Sequence, residues 1–553
     1  MNKFTKKELL IFLFLIILGA FLRIYKLDSF PAGFHGDEAW TGIEARRVLK
    51  DGFIGFWSPA ALGQATLPVY WTAKIYKLLG VSIFTTRLSF VLLSIFSIPF
   101  FYLFIRKILT PRIAVVATFF FVTDSVSLAL SRRADYVAAN ISFFPAIFFL
   151  FMAYETDKTV YFITSGVLLG LLNHSYAALW VTPILFVFIW GSLLITQGKK
   201  PFTHYINKFL ILLLFYFIVA SPILAFAIEN KDSFFSRSQM ISIFSEQGIN
   251  HARTYLSSGI GPFGILLHNL KATLLMFNFI GDRDPWNTLS EGPILNPIIG
   301  IFFLAGFILG LNKYRHKLGT IIFLYFPFFF FLSGSIFTID APNIRRSQIS
   351  AYFTYIFCGL GAVFLYNLLS KKTFFFKKVF RLIFFLIILL TGFHRTWIYF
   401  SKISVGWTTK NVLCYQLVKI ADFVNTLPKD TFVYFYSSRW KYRYETLRFL
   451  LADYQGEDKS REFGKYDLIA STKTNNLVYI FLPEYNNALE AVEKLYPEGR
   501  KQIHYNTDGT LLKESDRGKK HIFKLKFKKI SLCQPSLLKK LTHKLSSLII
   551  KNY

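Results

Sequence analysis

The 553-residue chain is 53% hydrophobic and 19% aromatic, holds 65 Phe and carries a formal charge of +31. A soluble protein of this length does not support so many long apolar runs, so the composition indicates a polytopic membrane protein. No nucleic-acid-binding motif accompanies the positive charge, so no nucleic-acid partner is expected. The three unevenly spaced cysteines, Cys358, Cys414 and Cys533, make neither a disulfide framework nor a metal knuckle.

The first hydrophobic segment, about Leu9–Ile24, lacks a small-residue cleavage site and reads as a retained anchor. Directly after it comes Gly33-Phe34-His35-Gly36-Asp37-Glu38-Ala39-Trp40. Two adjacent carboxylates at a membrane surface accept a proton, hold a cation or are merely solvated. They open a long polar-aromatic loop, residues 26–80.

Further spans are expected near 81–105, 113–131, 137–154, 160–173, 177–196, 208–228, 294–311, 318–337, 349–369 and 379–399, about eleven in all with the first. The Lys/Arg-rich links around Arg106-Lys107, Lys199-Lys200, Lys313–Lys317 and Lys371–Arg381 alternate with less basic ones. The positive-inside rule then places the N-terminus in the cytoplasm and everything after about residue 400 outside it. The remaining links gather on that outer face: the Asp37-Glu38 loop, Ser131-Arg132-Arg133-Ala134-Asp135-Tyr136, Asn173-His174-Ser175-Tyr176, and Asp340-Ala341-Pro342-Asn343-Ile344-Arg345-Arg346. Ionisable groups at membrane depth are expensive and are usually functional or paired. Asp124, inside an apolar run, is another such group, with a neighbouring Ser or Thr as its plain partner.

The outer loop 229–293 ends in Gly281-Asp282-Arg283-Asp284-Pro285-Trp286-Asn287, dense in turn formers. It is expected to hold an interfacial helix and a capping segment. Asp282 and Asp284 fit either a cation or an Asx-turn before proline. After the last span, strands at Thr431–Tyr436, Leu477–Leu482, Lys501–Tyr505 and His521–Phe527 alternate with helices at Tyr442–Tyr454 and Asn486–Leu495. Residues 401–530 therefore read as a small extracytoplasmic α/β domain, and 531–553 as a basic amphipathic tail. The expected fold class is mostly α, a polytopic bundle of about 11 transmembrane helices with that domain appended.

Four stretches in this order resemble the C-type glycosyltransferases that use polyprenyl-phosphate sugars, above all the protein O-mannosyltransferases and lipid A aminoarabinose transferases. They are Asp37-Glu38 with the helix Ile43–Leu49, Leu67-Pro68-Val69-Tyr70-Trp71 through Thr86-Arg87-Leu88, Ser131-Arg132 to Asp135, and Pro342-Asn343-Ile344-Arg345-Arg346. The chain departs from its relatives at two places. Thr66-Leu67-Pro68 stands where Lys-Pro-Pro is common, and Asn343 stands at the histidine of a Pro-His-x-x-Arg pattern whose arginine falls on Arg346.

The resemblance implies an inverting transfer of a hexose or pentose from a polyprenyl-phosphate donor to a protein, lipid or glycan acceptor. It makes Asp37 the general base, with Glu38 orienting it and Asp135 positioning the acceptor. Arg346, Arg345 and Arg132 are the candidates for the donor phosphate, Arg346 leading. His35, Trp40, His174 and Tyr176 are candidate substrate contacts, against the plainer readings of structural histidines and an interfacial aromatic belt. A divalent cation on Asp37, Glu38 and Asp135 is left open. The rival classes are a lipid-linked sugar flippase, an oligosaccharide ligase and a non-catalytic scaffold. A flippase predicts mid-membrane charges and paired repeats; no repeat is visible.

Overall fold

The computed structural model describes residues 4–482 apart from 60–62, 136–141, 197–201, 258, 283, 290–291, 373–376 and 460–475; beyond 482 it describes 485, 489, 492, 494, 497, 500–503 and 524–529. The chain divides into two compact units, Met1–Leu413 and Cys414–Tyr553.

The first unit is helical. Helix α1 (Lys6–Ile24) leads into α2 (Gly36–Asp51), an antiparallel hairpin of β1 (Trp57–Ser58) and β2 (Gln64–Ala65), and α3 (Leu67–Leu79). Then follow α4 (Ile83–Ile108), α5 (Pro111–Thr123), α6 (Ser125–Ser131), α7 (Phe143–Thr156), α8 (Thr159–Asn173), α9 (Thr182–Thr196) and α10 (Phe202–Glu229). Helices α11 (Lys231–Ile241), α12 (Glu246–Tyr255), α13 (Pro262–Leu275) and the one-turn α14 (Pro285–Thr288) come next. The bundle closes with α15 (Pro297–Tyr314), α16 (Leu318–Ile336), α17 (Gln348–Lys372) and α18 (Lys377–Ile398), a π-helical turn at Tyr399–Ile403, and α19 (Trp407–Val412).

Among the described residues, seven helical segments are long and apolar enough to cross a membrane, or eight when α5 and α6, bent by 62°, are taken as one span. The other three expected spans fall on α1, which carries Lys6, Lys7, Glu8 and Arg23, and on α7 and α8, which are apolar but only 14 and 15 residues long. The two stretches expected as outer loops differ most from expectation. Residues 26–80 hold two helices and a hairpin, and 229–293 holds four helices instead of one.

Helices α15 and α17 cross at glycines. A Cβ on Gly306 would stand 1.8 Å from the Phe357 carbonyl oxygen, and one on Gly361 would stand 1.9 Å from that of Phe302. Only the absence of side chains lets these backbones touch, the usual way for helices to associate in lipid. Around them lies a core unusually rich in edge-to-face Phe pairs, such as Phe143–Phe331 at 5.3 Å and Phe101–Phe144 at 4.8 Å.

Asp124 marks the α5–α6 break. Its side chain caps α6 by accepting from Val126 N–H at 2.9 Å. It also accepts from Tyr355 Oη at 2.7 Å and from Arg395 Nε at 2.8 Å. The expected Ser or Thr partner is thus replaced by an arginine 271 residues away in sequence. Pairing the two buried charges removes most of the cost of holding either one in an apolar bundle.

The second unit contains α20 (Tyr415–Val424), β3 (Phe432–Tyr436), α21 (Glu445–Leu450), β4 (Gln455–Asp458), β5 (Asn476–Phe481), β6 (Arg500–Ile503) and β7 (Lys524–Lys529). Its sheet runs β4-β3-β5-β7-β6, with β3 parallel to β4 and β5, and β7 antiparallel to β5 and β6. Alternation divides the central strands between two faces. Val433, Phe435, Val478 and Ile480 pack with Leu417, Ile420 and Leu447, while Tyr434, Tyr436, Tyr479 and Phe481 pack with Leu489 and Val492. The helix expected at 442–454 shrinks to α21. Most of the helix expected at 486–495, and the whole tail 531–553, lie outside the described residues.

Candidate active site

The loop after α1 is held by arginines. Gly33 has φ +105°, and a Cβ there would meet the Leu413 carbonyl oxygen at 2.3 Å, so glycine alone lets the chain pass. Arg87, in the first turns of α4, donates to the carbonyls of Leu27 (3.1 Å), Pro31 (2.9 Å) and Gly33 (2.6 Å). It also forks onto Glu38, Nε to Oε1 at 2.9 Å and Nη2 to Oε2 at 3.1 Å. Arg132 donates to the carbonyls of Leu22 (2.5 Å), Tyr25 (2.7 Å) and Phe30 (2.8 Å), and its guanidinium lies 5.0 Å from the Phe400 ring. Two buried guanidinium groups thus clamp residues 22–33 through backbone carbonyls.

These clamps fix α2, whose first turn carries the acidic pair. His35 caps the helix: its Nδ1 accepts from Asp37 N–H at 3.0 Å, and Glu38 Oε2 accepts from His35 N–H at 3.2 Å. The two carboxylates then part. Glu38 is 0% exposed and accepts from Arg87, Ala134 N–H (3.0 Å) and His35 N–H, so it is committed to structure. Asp37 keeps 31% of its side chain exposed and faces a pocket.

The pocket, about 440 Å³ with the space open to solvent counted, lies between α2, the β1–β2 hairpin, α11 and the turns after α6, α8 and α16. Asp37, Asp135 and Arg345 form its charged wall, with Arg237 beside them and Gln64, Tyr176 and Trp180 also on its surface. Arg345 Nη2 lies 3.6 Å from both Asp37 Oδ2 and Asp135 Oδ2, and Arg133 Nη2 approaches Asp135 Oδ2 at 3.8 Å. Among the described residues nothing accepts a hydrogen bond from the buried Nε of Arg345. Burial alone would raise the Asp37 pKa, but the neighbouring His35, Arg345 and Arg237 outweigh it and hold the carboxyl below its usual range. His35 is pushed down by burial, against the pull of Asp37 and Glu38.

Trp286, at the start of α14, is the pillar of the site. Its ring lies 3.8 Å from that of His35, 4.6 Å from the Arg133 guanidinium and 5.2 Å from that of Arg345. Its carbonyl, with that of Asn287, accepts from Arg133 at 2.5 and 3.1 Å. Asp282 ties the same turn to the arginine loop, accepting from Asn287 Nδ2 (3.0 Å), Asp284 N–H (2.9 Å) and Ile344 N–H (2.6 Å). Asp284 caps α14 through Trp286 N–H at 2.9 Å, so the Asx-turn reading accounts for it.

Several expected roles change. Arg132 is occupied by backbone carbonyls away from the pocket and is not placed to hold a donor phosphate. Arg346 turns back on its own loop, donating to Thr338 Oγ1 (2.8 Å), Ile339 O (2.9 Å) and Asp340 Oδ1 (2.8 Å). Arg345, ranked second, is the arginine in the pocket. His174 caps α8 with its Nε2 2.8 Å from the Val219 carbonyl, and neither it nor Trp40 lines the pocket. Tyr176 does, with the Arg345 guanidinium 6.0 Å from its ring.

Among the described residues, no three His, Cys, Asp or Glu side chains converge as metal ligands. At Asp37 and Asp135 the positive charge comes from Arg345, while Glu38 is turned toward Arg87. The donor set does not fit a divalent cation.

Residues 64–226 match the family described as dolichyl-phosphate-mannose-protein mannosyltransferase. The structure is similar to ArnT from Cupriavidus metallidurans bound to undecaprenyl phosphate, with a TM-score of 0.54 at 11% identity, over 95% of this chain and 98% of that one. It is also similar to the oligosaccharyltransferase of Archaeoglobus fulgidus in its apo form, with a TM-score of 0.51 at 13% identity, over 82% of this chain. The alignment spans only 65% of that longer protein. No curated protein sequence matches the chain. The class defined here is a membrane protein of the C-type glycosyltransferase fold. Within it, the family match takes in Gln64, Asp135, Tyr176 and Trp180 of the pocket, while Asp37, Arg237 and Arg345 lie outside the matched residues.

Arg87, Arg133, Arg237 and Trp286 are among the contributors missed from sequence. Arg87 stood in a stretch singled out only for resemblance, yet an arginine opening an apolar helix signals a buried partner. Arg237 lies in a polar helix with nothing to distinguish it.

Proposed function

We propose that the protein transfers a sugar from a polyprenyl-phosphate donor to a hydroxyl acceptor, with inversion, on the extracytoplasmic face of the membrane. The observation that carries this reading is the convergence of Asp37 and Asp135 on one guanidinium, Arg345, in a pocket of about 440 Å³.

The acceptor O–H gives its proton to Asp37 as its oxygen attacks the anomeric carbon. The bond from that carbon to the phosphate oxygen breaks, and its electron pair leaves on the phosphate. Arg345, through the Nε that has no acceptor among the described residues, and Arg237 hold that growing charge. Before the donor enters, Arg345 depresses the basicity of Asp37. A bound phosphate shares the guanidinium and so makes Asp37 a stronger base only when the donor is present. Asp135, further from solvent, keeps Arg345 in place. The positive-inside rule applied to the Lys/Arg-rich links supports the outward orientation. The sugar, and whether the acceptor hydroxyl belongs to a protein, lipid or glycan, are read from the product.

The test is complementation. Envelope glycans and glycolipids from cells lacking the protein are compared by mass spectrometry after restoring wild type or Asp37→Asn. The Asn variant is expected to lose transfer by about a hundredfold or more, the usual contribution of a general base, while purified protein still binds undecaprenyl phosphate. Transfer at the wild-type rate by folded Asp37→Asn overturns the assignment.

A further inference from the structure

A second, wider surface cavity, about 1440 Å³ with the space open to solvent counted, lies where α1, α5, α15 and α17 meet. It lies at the end of the bundle opposite the pocket. Asn367 on its rim is 19 residues along α17 from Gln348, roughly 30 Å at about 1.5 Å per residue. Helix α1 likewise begins at this cavity and ends at the Asp37 loop.

Its lining divides by chemistry. Lys7, Arg112 and Lys313 supply three cations, and among the described residues no carboxylate pairs with any of them. The one acidic residue on the wall, Glu8, is taken by Arg106, whose Nη2 donates to Oε2 at 3.3 Å, and by Tyr102 Oη at 3.1 Å. Helices α1 and α5 begin here while α15 and α17 end here, so their dipole ends offset one another and the positive potential rests on the three cations. Below the cations the wall is apolar, with Ile11, Val115 and Phe364 among its residues. Lys313 marks the boundary, its ammonium 4.4 Å from the centre of the Phe364 ring.

We infer that this cavity is a binding site for the phosphate headgroup of an anionic membrane phospholipid, its acyl chains along the apolar wall and its phosphodiester between Lys7, Arg112 and Lys313. A soluble phosphate shares the anionic chemistry but leaves the apolar wall uncovered. A zwitterionic lipid brings an ammonium among three cations. The site is separate from the donor pocket and serves as an anchor at the end that the basic links assign to the cytoplasmic leaflet.

The experiment is native mass spectrometry of the purified protein titrated with phosphatidylglycerol, phosphatidylcholine or sn-glycerol 3-phosphate. Wild type is expected to retain phosphatidylglycerol over phosphatidylcholine, without displacement by a hundredfold excess of glycerol phosphate. Changing Lys7, Arg112 and Lys313 together to Gln is expected to weaken the first phosphatidylglycerol by roughly a hundredfold, about fivefold for each cation near an anionic surface. Lys6→Gln/Arg315→Gln/Lys317→Gln, a charge-matched control outside the cavity lining, is expected to stay within threefold of wild type, and Lys7→Arg/Lys313→Arg to bind as wild type does. Equal losses in the two triple variants would reduce the effect to general surface charge and overturn the proposal. Equal retention of the two lipids, or full displacement by glycerol phosphate, would also overturn it. A triple variant that fails to fold leaves the wild-type lipid comparison and the Arg variant to decide.

Discussion

Arg87 Nε lies 2.9 Å from Glu38 Oε1, and both side chains are 0% exposed. One half of the acidic pair is therefore a strut, and the two carboxylates answer differently to neutralisation. Glu38→Gln leaves the Arg87 charge buried without its counter-ion, a loss of about 3–5 kcal/mol for a broken buried pair. Replacing both partners, as Glu38→Leu/Arg87→Met, is not expected to restore stability, because Arg87 also satisfies three carbonyls. Thermal unfolding in detergent checks this: Glu38→Gln and the double variant melt early, while Asp37→Asn melts near wild type yet does not transfer.

Arg345 and Arg346 separate in the same way. Arg345→Ala removes the cation between Asp37 and Asp135 and is expected to weaken undecaprenyl phosphate binding by at least tenfold, since a hydrogen bond to a charged group contributes about 1.5–3 kcal/mol. Arg346→Ala unties the 338–340 turn and is expected to lower the melting temperature while leaving affinity within threefold. Equal affinity losses would return Arg346 to the phosphate site.

Trp286 supports Arg345 and His35 through its ring alone, since the Arg133 hydrogen bond goes to its carbonyl. Trp286→Ala is expected to cost up to about thirtyfold in donor affinity, on the scale of a desolvated cation–π contact of about 2 kcal/mol, and Trp286→Phe to recover most of it. A purely structural residue would show a melting shift without that graded recovery in affinity.

The sequence made the bundle legible because apolar runs and basic links are one-dimensional signals. The place of Asp37 on a pocket wall was legible too, since two carboxylates after a first span are unusual. The order of the arginines was not. Arg132, Arg345 and Arg346 look alike in sequence, and only the fold shows that one clamps carbonyls, one meets Asp37 and one folds onto Asp340. The helices within 229–293 were hidden for a related reason. A polar helix such as α11 carries little apolar periodicity, and its shape is set by what it packs against. Trp57, Trp180 and Phe234 cluster there, with Trp180 stacked 4.1 Å from Phe234, and hold α11 with Arg237 beside the hairpin.

Asp282 gives the fold a pH dependence of defined sign. Burial pushes its carboxyl up to about 7, against the hydrogen bonds from Ile344, Asn287 and Asp284. A carboxyl with a folded pKa above its unfolded one binds a proton more tightly when folded, so its contribution is complete below about pH 4. It falls as pH rises toward 7, by at most about 1.4 kcal/mol per pH unit, and is level above that. Other carboxylates titrate over the same range, so the measurement is a difference: stability of wild type minus that of Asp282→Asn at pH 5, 6, 7 and 8. The difference is expected to decline from pH 5 to 7 and to flatten between 7 and 8. Because Asp282 accepts from Ile344 N–H, next to Arg345, affinity for undecaprenyl phosphate is expected to fall in Asp282→Asn, whose amide turns a donor toward a donor. A stability difference that stays level from pH 5 to 8 would show that Asp282 is ionised throughout and held by its hydrogen bonds instead.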